Sequence, residues 1–379
     1  MRIAYTTTFD ATDVHQWSGT PYFMSRAFTE VAHVDYIGAL NRQLPPFFKT
    51  KQIYKKYITG QRESPRFNIH AAKHYSFQVE QALKQRAVDI IVSPLINPIA
   101  YLDSEKPVVL WTDALYAGLL GFYSPFSAHS AKTVEQGNLV TTACLNRATL
   151  AFFSSDWAAN SAKELYGIAR EKIKVIPFGA NIRYAPNYDE IKTIISNRAH
   201  DKIKLLFLAK SWERKGGDLV LAVTKALHEA GHAVELNIIG YDAKDLPPLP
   251  PYIKPLGFIS KHTDAGQQKI QKLLSDTHFL FVPSRAEAYG IVFCEANAYA
   301  VPCLSTYVGG ISTIIKDHIN GFTFSLEAKV ATYCDYIVTT MQDKKNYDAL
   351  ALSSFNEYAT RLNWTSAVQA AKQYMQAVI

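Results

Sequence analysis
Short apolar runs of strand length recur along this chain between amphipathic helical stretches, and the alternation starts twice. In the first half the runs are Arg2 to Thr7, Val34 to Ala39, Asp89 to Pro94, Pro107 to Asp113, Ala151 to Ser155 and Lys172 to Pro177. Helical stretches such as Ala71 to Lys84 and Val134 to Arg147 lie between the later ones. Strands alternating with helices of this length predict βαβ units and a parallel sheet. PFGANIRYAPNYDE and a polar helical stretch then interrupt the pattern until about Asp201, where KLLFLAK opens a fresh strand. The second series places strands at Lys204 to Ala209, Val234 to Gly240, Ile253 to Ile259, Phe279 to Pro283 and Pro302 to Ser305. Helices are expected at Gly217 to Ala230, Ala265 to Ser275 and Ile291 to Tyr299, with three more helical stretches to the end. A chain of 379 residues is too long for one ordinary core. The expectation is an α/β protein of two doubly wound, Rossmann-like domains, split between residues 182 and 183, with a cleft between them. Ligands of such sheets gather at the carboxyl ends of the strands.

Several function classes are disfavoured by what is missing. Neither GxxxxGK[ST] nor GxGxxG occurs, which counts against a kinase, an ATPase or a dinucleotide enzyme. Cys144, Cys294, Cys303 and Cys334 form no CxxC pair and sit in apolar contexts, so buried thiols are expected rather than disulfides or a zinc site. The opening MRIAYTTTFDATD has too short an apolar run for a signal peptide, and no run of 18 apolar residues occurs. A cytoplasmic location is therefore expected.

The formal net charge of +7 is unevenly spread. Between Arg42 and Lys73 stand Arg42, Lys49, Lys51, Lys55, Lys56, Arg62, Arg66 and Lys73, with Glu63 the only acid. Phe47, Phe48, Tyr54, Tyr57 and Phe67 interleave with them, a composition suited to an anionic membrane surface at the inner face of the membrane or to an anionic acceptor. A solvated basic loop is the plainer alternative. No RRM, KH or helix-turn-helix pattern accompanies the segment, and nucleic acid is not an expected partner.

The sharpest motif is VPSRAEAYGIVFCEANAYAVP, in which a strand ends at Pro283, a loop carries Ser284, Glu287 and Gly290, and a helix carries Glu295. Carboxylates accept hydrogen bonds from vicinal hydroxyls, so this pair suits a ribose and a sugar. The helix start at Tyr289, Gly290 and Ile291 offers backbone N–H groups and the positive end of a dipole, which suits a diphosphate. Upstream, LLFLAKSWERKGGD places Lys210, Arg214 and Lys215 between a strand and a helix, and Gly216 and Gly217 let the backbone approach closely. In YVGGIST, Gly309 and Gly310 form a third nest of backbone donors. Each motif alone also reads as an ordinary loop or helix start.

Together and in this order, KSWERKGG, PSRAEAYGIVFCEA and YVGGIS resemble the retaining glycosyltransferases of family 4, which have the GT-B fold. FFSSDWAANSAKELYG followed by KVIPFGANI is similar to that family's last strand and helix before the interdomain linker. The resemblance implies a nucleotide-sugar donor bound by residues 183–360, with Glu287 on the donor sugar hydroxyls, Glu295 on the ribose and Lys215 on the diphosphate. Lys210 stands where the family usually has arginine, which keeps the charge and loses the bidentate fork. Thr313 stands where the family often has an acid. The base is expected near Leu256 to Lys261, including Phe258 and Ile259.

The resemblance further implies that residues 361–379, RLNWTSAVQAAKQYM among them, cross back to the first domain, and that donor binding closes the cleft. The loop Asp10 to Thr20, with His15 and Gly19, corresponds to the family's first glycine-containing loop beside donor and acceptor. In VVLWTDALYAG, Asp113 at a strand end reads either as a residue orienting the acceptor or as a helix N-cap. The implied activity is transfer of a hexose with retention, from a UDP- or GDP-linked donor to a glycan or lipid-linked acceptor in envelope polysaccharide or glycoconjugate synthesis. No DxD triplet occurs, so no metal or other cofactor is expected. The competing readings are a GT-B epimerase or phosphorylase and a non-catalytic nucleotide-sugar binder.

Overall fold
The computed structural model describes residues 1–379. The chain divides into two compact units, one formed by Met1–Phe178 with Trp364–Ile379 and the other by Gly179–Asn363.

In the first unit, β1 (Arg2–Thr6), β2 (His33–Ile37), β3 (Ile90–Ser93), β4 (Val108–Thr112), β5 (Leu150–Phe153) and β6 (Ile173–Val175) form one sheet in the order β2-β1-β3-β4-β5-β6. Every pairing is parallel. Residues in β3, β4 and β5 are buried throughout, because helices cover both faces and leave no side for polar alternation. The edge strands β2 and β6 are partly exposed. Trp111, fully buried, anchors this core. Its ring meets Phe28, Phe152, Phe178 and Trp364 at 5.8–6.0 Å, and its indole N–H donates to the Ile176 carbonyl at 3.1 Å. Through Trp364 the last helix, Trp364–Gln376, packs within this unit.

The second unit repeats the plan with β7 (Ile203–Leu208), β8 (Val234–Ile239), β9 (Ile253–Pro255), β10 (Phe279–Phe281), β11 (Cys303–Thr306) and β12 (Gly321–Phe324). Their order is β12-β11-β10-β7-β8-β9, again all parallel. The chain leaves β7 toward one edge and β10 toward the other, so the topological switch point lies between these two strands. Arg198 is buried here and fully used: its guanidinium donates to Ala300 O and Tyr347 Oη at 2.9 Å, Tyr299 O at 3.1 Å and Ser275 O at 3.2 Å. His278 beside it has its pKa pushed down to about 3 by burial and by that positive charge, so it packs as a neutral ring.

Several expectations need correction. The strand β12 falls where only helices were expected after Ser305, because GFTF is four residues long and lacks the apolar run that marks a strand. The strand expected over 253–259 stops at Pro255, although Leu256 still donates its N–H to the Ile238 carbonyl at 2.8 Å. The basic segment is not a loop throughout, since Phe48–Thr59 is helical. Cys144, Cys294 and Cys303 are buried free thiols, but Cys334 is only half-buried. The units meet at 178/179 and 363/364 rather than at 182/183 and 360/361. No helix is long and apolar enough to cross a membrane.

Candidate functional site
The switch point of the second sheet organises the site. The segment after β7 makes one helical turn at Trp212–Lys215, so Arg214 and Lys215 stand on a turn and not in an open loop. Gly216 follows at φ 73°, and a Cβ there would lie 2.3 Å from the Pro283 carbonyl oxygen, so only glycine lets this turn seat against the end of β10. The result is that Lys215, itself buried, forms an ion pair with the buried Glu287. Arg214 Nη1 reaches the same carboxylate at 3.2 Å and donates to the Ala286 carbonyl at 2.7 Å.

Two cations therefore hold one carboxylate, leaving an excess positive charge at the switch point. Burial alone would raise the Glu287 pKa, but the charges of Lys215 and Arg214 overcome it and hold this carboxyl below its ordinary value. It stays ionised and accepts hydrogen bonds only. Arg285 braces the loop from outside, pairing both arms with Asp218 at 2.9 and 2.6 Å.

Gly290 at φ 97° ends the Glu287 loop and starts the helix Ile291–Asn297, with no side-chain cap. A Cβ on it would lie 2.7 Å from the Phe293 ring. Gly310, after β11, donates its N–H to the Glu287 carbonyl at 3.1 Å, which joins the paired-glycine turn Gly309–Gly310 to the same loop. Ser284 is buried and accepts a hydrogen bond at its carbonyl from Thr306. Tyr289 is buried, with its hydroxyl 3.6 Å from Cys294 Sγ. Thr313 is also buried, and its carbonyl accepts from Arg361 at 2.8 Å.

Glu295, in the helix, pairs with Lys261 from the segment after β9. Burial raises the Glu295 pKa and Lys261 reverses only part of that, so this carboxyl titrates above its ordinary value. Its Oε1 has no hydrogen-bond partner, an unsatisfied acceptor inside the site. Lys261 was named in sequence only as the end of a segment; its pairing with a residue 34 positions away carries no local signal. Phe258, 66 % exposed, offers its ring to Lys210, whose ammonium lies 5.2 Å from the centroid, while Ile259 is buried. Residues that follow β7, β9, β10 and β11 thus form these contacts at one edge of the sheet.

Asp113, Gly19 and His15 belong to the first unit. Asp113 directly follows β4 and is half-buried. It does not cap the next helix, whose N-cap is Leu115. His15 is exposed, and its backbone N–H donates to Asp13 at 2.9 Å. Gly19, at φ 86°, is the N-cap of the helix Thr20–Phe28. No cluster of three His, Cys, Asp or Glu side chains suited to a metal ion is present.

Two parallel six-stranded, doubly wound units with this edge define a GT-B fold. Solved structures agree: sucrose-phosphate synthase from Thermosynechococcus elongatus superposes with a TM-score of 0.71 over 100 % of this chain and 99 % of that one, at 15 % identity. HepE from Anabaena, in complex with UDP, gives 0.66 over 100 % of both chains, also at 15 % identity. Residues 189–355 match the family Glycosyl transferases group 1. It is 25 % identical over 233 residues to D-inositol 3-phosphate glycosyltransferase 1 of Catenulispora acidiphila, covering 55 % of this chain and 54 % of the relative. The chain spans about half the length of the curated relatives it matches.

Proposed function
We propose that this chain is a retaining, metal-independent glycosyltransferase that moves a hexose from a UDP- or GDP-linked donor to a glycan or lipid-linked acceptor in envelope polysaccharide or glycoconjugate synthesis. The observation that carries the reading is the buried Lys215–Glu287 pair, with the half-buried Arg214 on the same carboxylate, at the switch point of the second sheet. Its excess positive charge suits a leaving diphosphate, and its ionised carboxylate suits sugar hydroxyls. Lys210 and the amides at Gly290 and Ile291 add to the diphosphate side, with Gly309 and Gly310 beside Glu287. Glu295, with its unsatisfied Oε1, is the acceptor for ribose hydroxyls, and Phe258 is the platform for the base. UDP bound to HepE, a protein of this fold, supports a nucleoside diphosphate as the ligand.

Catalysis in this reading is positioning and leaving-group stabilisation. The bond from the anomeric carbon to the diphosphate oxygen breaks as the acceptor hydroxyl oxygen bonds to that carbon, the hydroxyl proton passes to the departing diphosphate, and the remaining negative charge falls between Lys215 and Lys210. Asp113 and the Gly19 loop are assigned to the acceptor side. Removing the Lys215 charge is expected to lower kcat about 10²- to 10³-fold, as loss of a preorganised donor does. Calorimetric titration with UDP, GDP and ADP tests the donor site: one nucleotide binds, and Glu295→Ala weakens it. Unchanged turnover in Lys215→Ala would refute the assignment. Loss of transfer in chelator with recovery in manganese would refute metal independence.

A further inference from the structure
The basic segment of the first unit borders a cavity of about 730 Å³ lined by the helix Phe48–Thr59, the turn 62–67 and the chain around Phe126 and His129. Lys56, Arg62 and Arg66 supply its charge, and none of the three sits in a salt bridge. The acid on its border, Glu63, is already committed: its buried carboxylate accepts from Lys55 Nζ at 2.6 Å, Ser130 Oγ at 3.0 Å and Thr133 Oγ1 at 2.9 Å. With Glu63 spent in this way, the cavity keeps an excess of positive charge. Its apolar walls are aromatic, Tyr57, Phe67 and Phe126, with the last two rings 5.9 Å apart.

Two details tie the cavity to the sheet edge. Tyr116, one turn beyond β4, hydrogen-bonds His129 Nδ1 at 2.8 Å and packs its ring 4.2 Å from Phe67. Arg66 lies close enough to Asp113 for the two charges to act on one another. A larger cavity of about 900 Å³ in the second unit is lined by two acids, Asp189 and Glu190, and one lysine, Lys272, which suits an anion poorly.

Building on the glycosyltransferase reading, we propose that the cavity lined by Lys56, Arg62 and Arg66 is an acceptor subsite for a phosphate group carried beside the hydroxyl to be glycosylated. Two arginines and a lysine outside any salt bridge match a phosphate dianion, which arginine binds through paired N–H groups. The aromatic walls take the ring that bears the phosphate, and Asp113 stands next to Arg66, where that ring's hydroxyl is presented. A flat anionic surface would use the exposed side chains of the helix, Phe47, Tyr54 and Ile58 among them, and would not need the cavity.

Phenyl phosphate, a ring with one phosphate, is the probe. Its binding is followed by phosphorus NMR on the full chain saturated with UDP, so that the diphosphate site is occupied. Binding is expected, with at least a tenfold loss in Arg62→Gln/Arg66→Gln while UDP affinity stays within twofold. Lys56→Gln, on an exposed helix, gives about a threefold loss and stands in if the double variant fails to fold. Equal affinity in all variants, or binding only when UDP is left out, overturns the proposal. So does pelleting with phosphatidylglycerol vesicles that depends on these residues while phenyl phosphate does not bind, which would assign the patch to a membrane. Arginine-dependent phenyl phosphate binding by a protein that takes no nucleotide would leave the phosphate site standing and remove the donor reading instead.

Discussion

The two sheets are both six-stranded and parallel, and their carboxyl edges differ in how their charges are held. At the second edge the carboxylates and Lys215 are buried and every charge is paired, Lys215 and the half-buried Arg214 on Glu287 and the half-buried Lys261 on Glu295. At the first, Lys56, Arg62 and Arg66 are exposed and have no salt bridge, and Asp113 is half-buried. Buried ions lose their hydration and persist only where partners hold them, so the second edge is a fixed geometry. Lys56 and Arg62 at the first stand in solvent and can follow the shape of what binds. One fold thus supports a rigid pocket and an adaptable one, and the difference lies entirely in the segments that follow the strands.

Removing one partner from the rigid edge is the strongest way to break this contrast. Lys215→Met leaves Glu287 buried beside Arg214 alone, and chemical denaturation is expected to record a loss of about 3–5 kcal/mol. Removing the buried carboxylate as well, with Glu287→Gln in the same chain, should recover part of it, because no buried anion is then left short of a partner. Next is Gly290→Ala, where a Cβ would lie 2.7 Å from the Phe293 ring at φ 97°. A loss of about 1–3 kcal/mol is expected, together with weaker UDP binding, because the helix start shifts.

The two glutamates sharpen the comparison within one edge, since their pKa values move in opposite directions. The Glu287 value is depressed on folding, so its contribution to stability is present above about pH 4.3 and is lost as pH falls through the folded value. The Glu295 value is raised, so its contribution is full below about pH 4.3 and is lost as pH rises through the folded value. In urea midpoints measured across this range, Glu287→Gln should flatten the acid limb and Glu295→Gln the limb just above it, each by about 1 kcal/mol. The smallest effect belongs to Arg285→Gln, whose partner Asp218 is 58 % exposed, with about 0.2–1 kcal/mol lost and more of it at low salt.

These contrasts were unevenly legible in the sequence. Runs such as IIVS and VVLWT announce central strands because both faces are covered, whereas GFTF at β12 is too short to stand out. Glu287, Lys215 and Gly290 sit inside motifs whose spacing follows from a strand, a turn and a helix start. The partnership of Lys261 with Glu295 depends on how the segment after β9 folds over the sheet edge, which no local pattern encodes. Asp113 was open to two readings, and the position of Leu115 as N-cap removes one. The helix Phe48–Thr59 has no buried residue, so the apolar periodicity that reveals a packed helix is weak there.

The packing of Trp364 against Trp111 and Phe178 also bears on how the protein is born. A ribosome releases Trp111 long before Trp364, with all of Gly179–Asn363 in between. The first unit synthesised is therefore the last that can close its core, while the second, continuous in sequence, can finish as soon as it emerges. Until Trp364 emerges, the rings around Trp111 lack their final cover, and that interval is when the nascent chain is most exposed to chaperones and to aggregation.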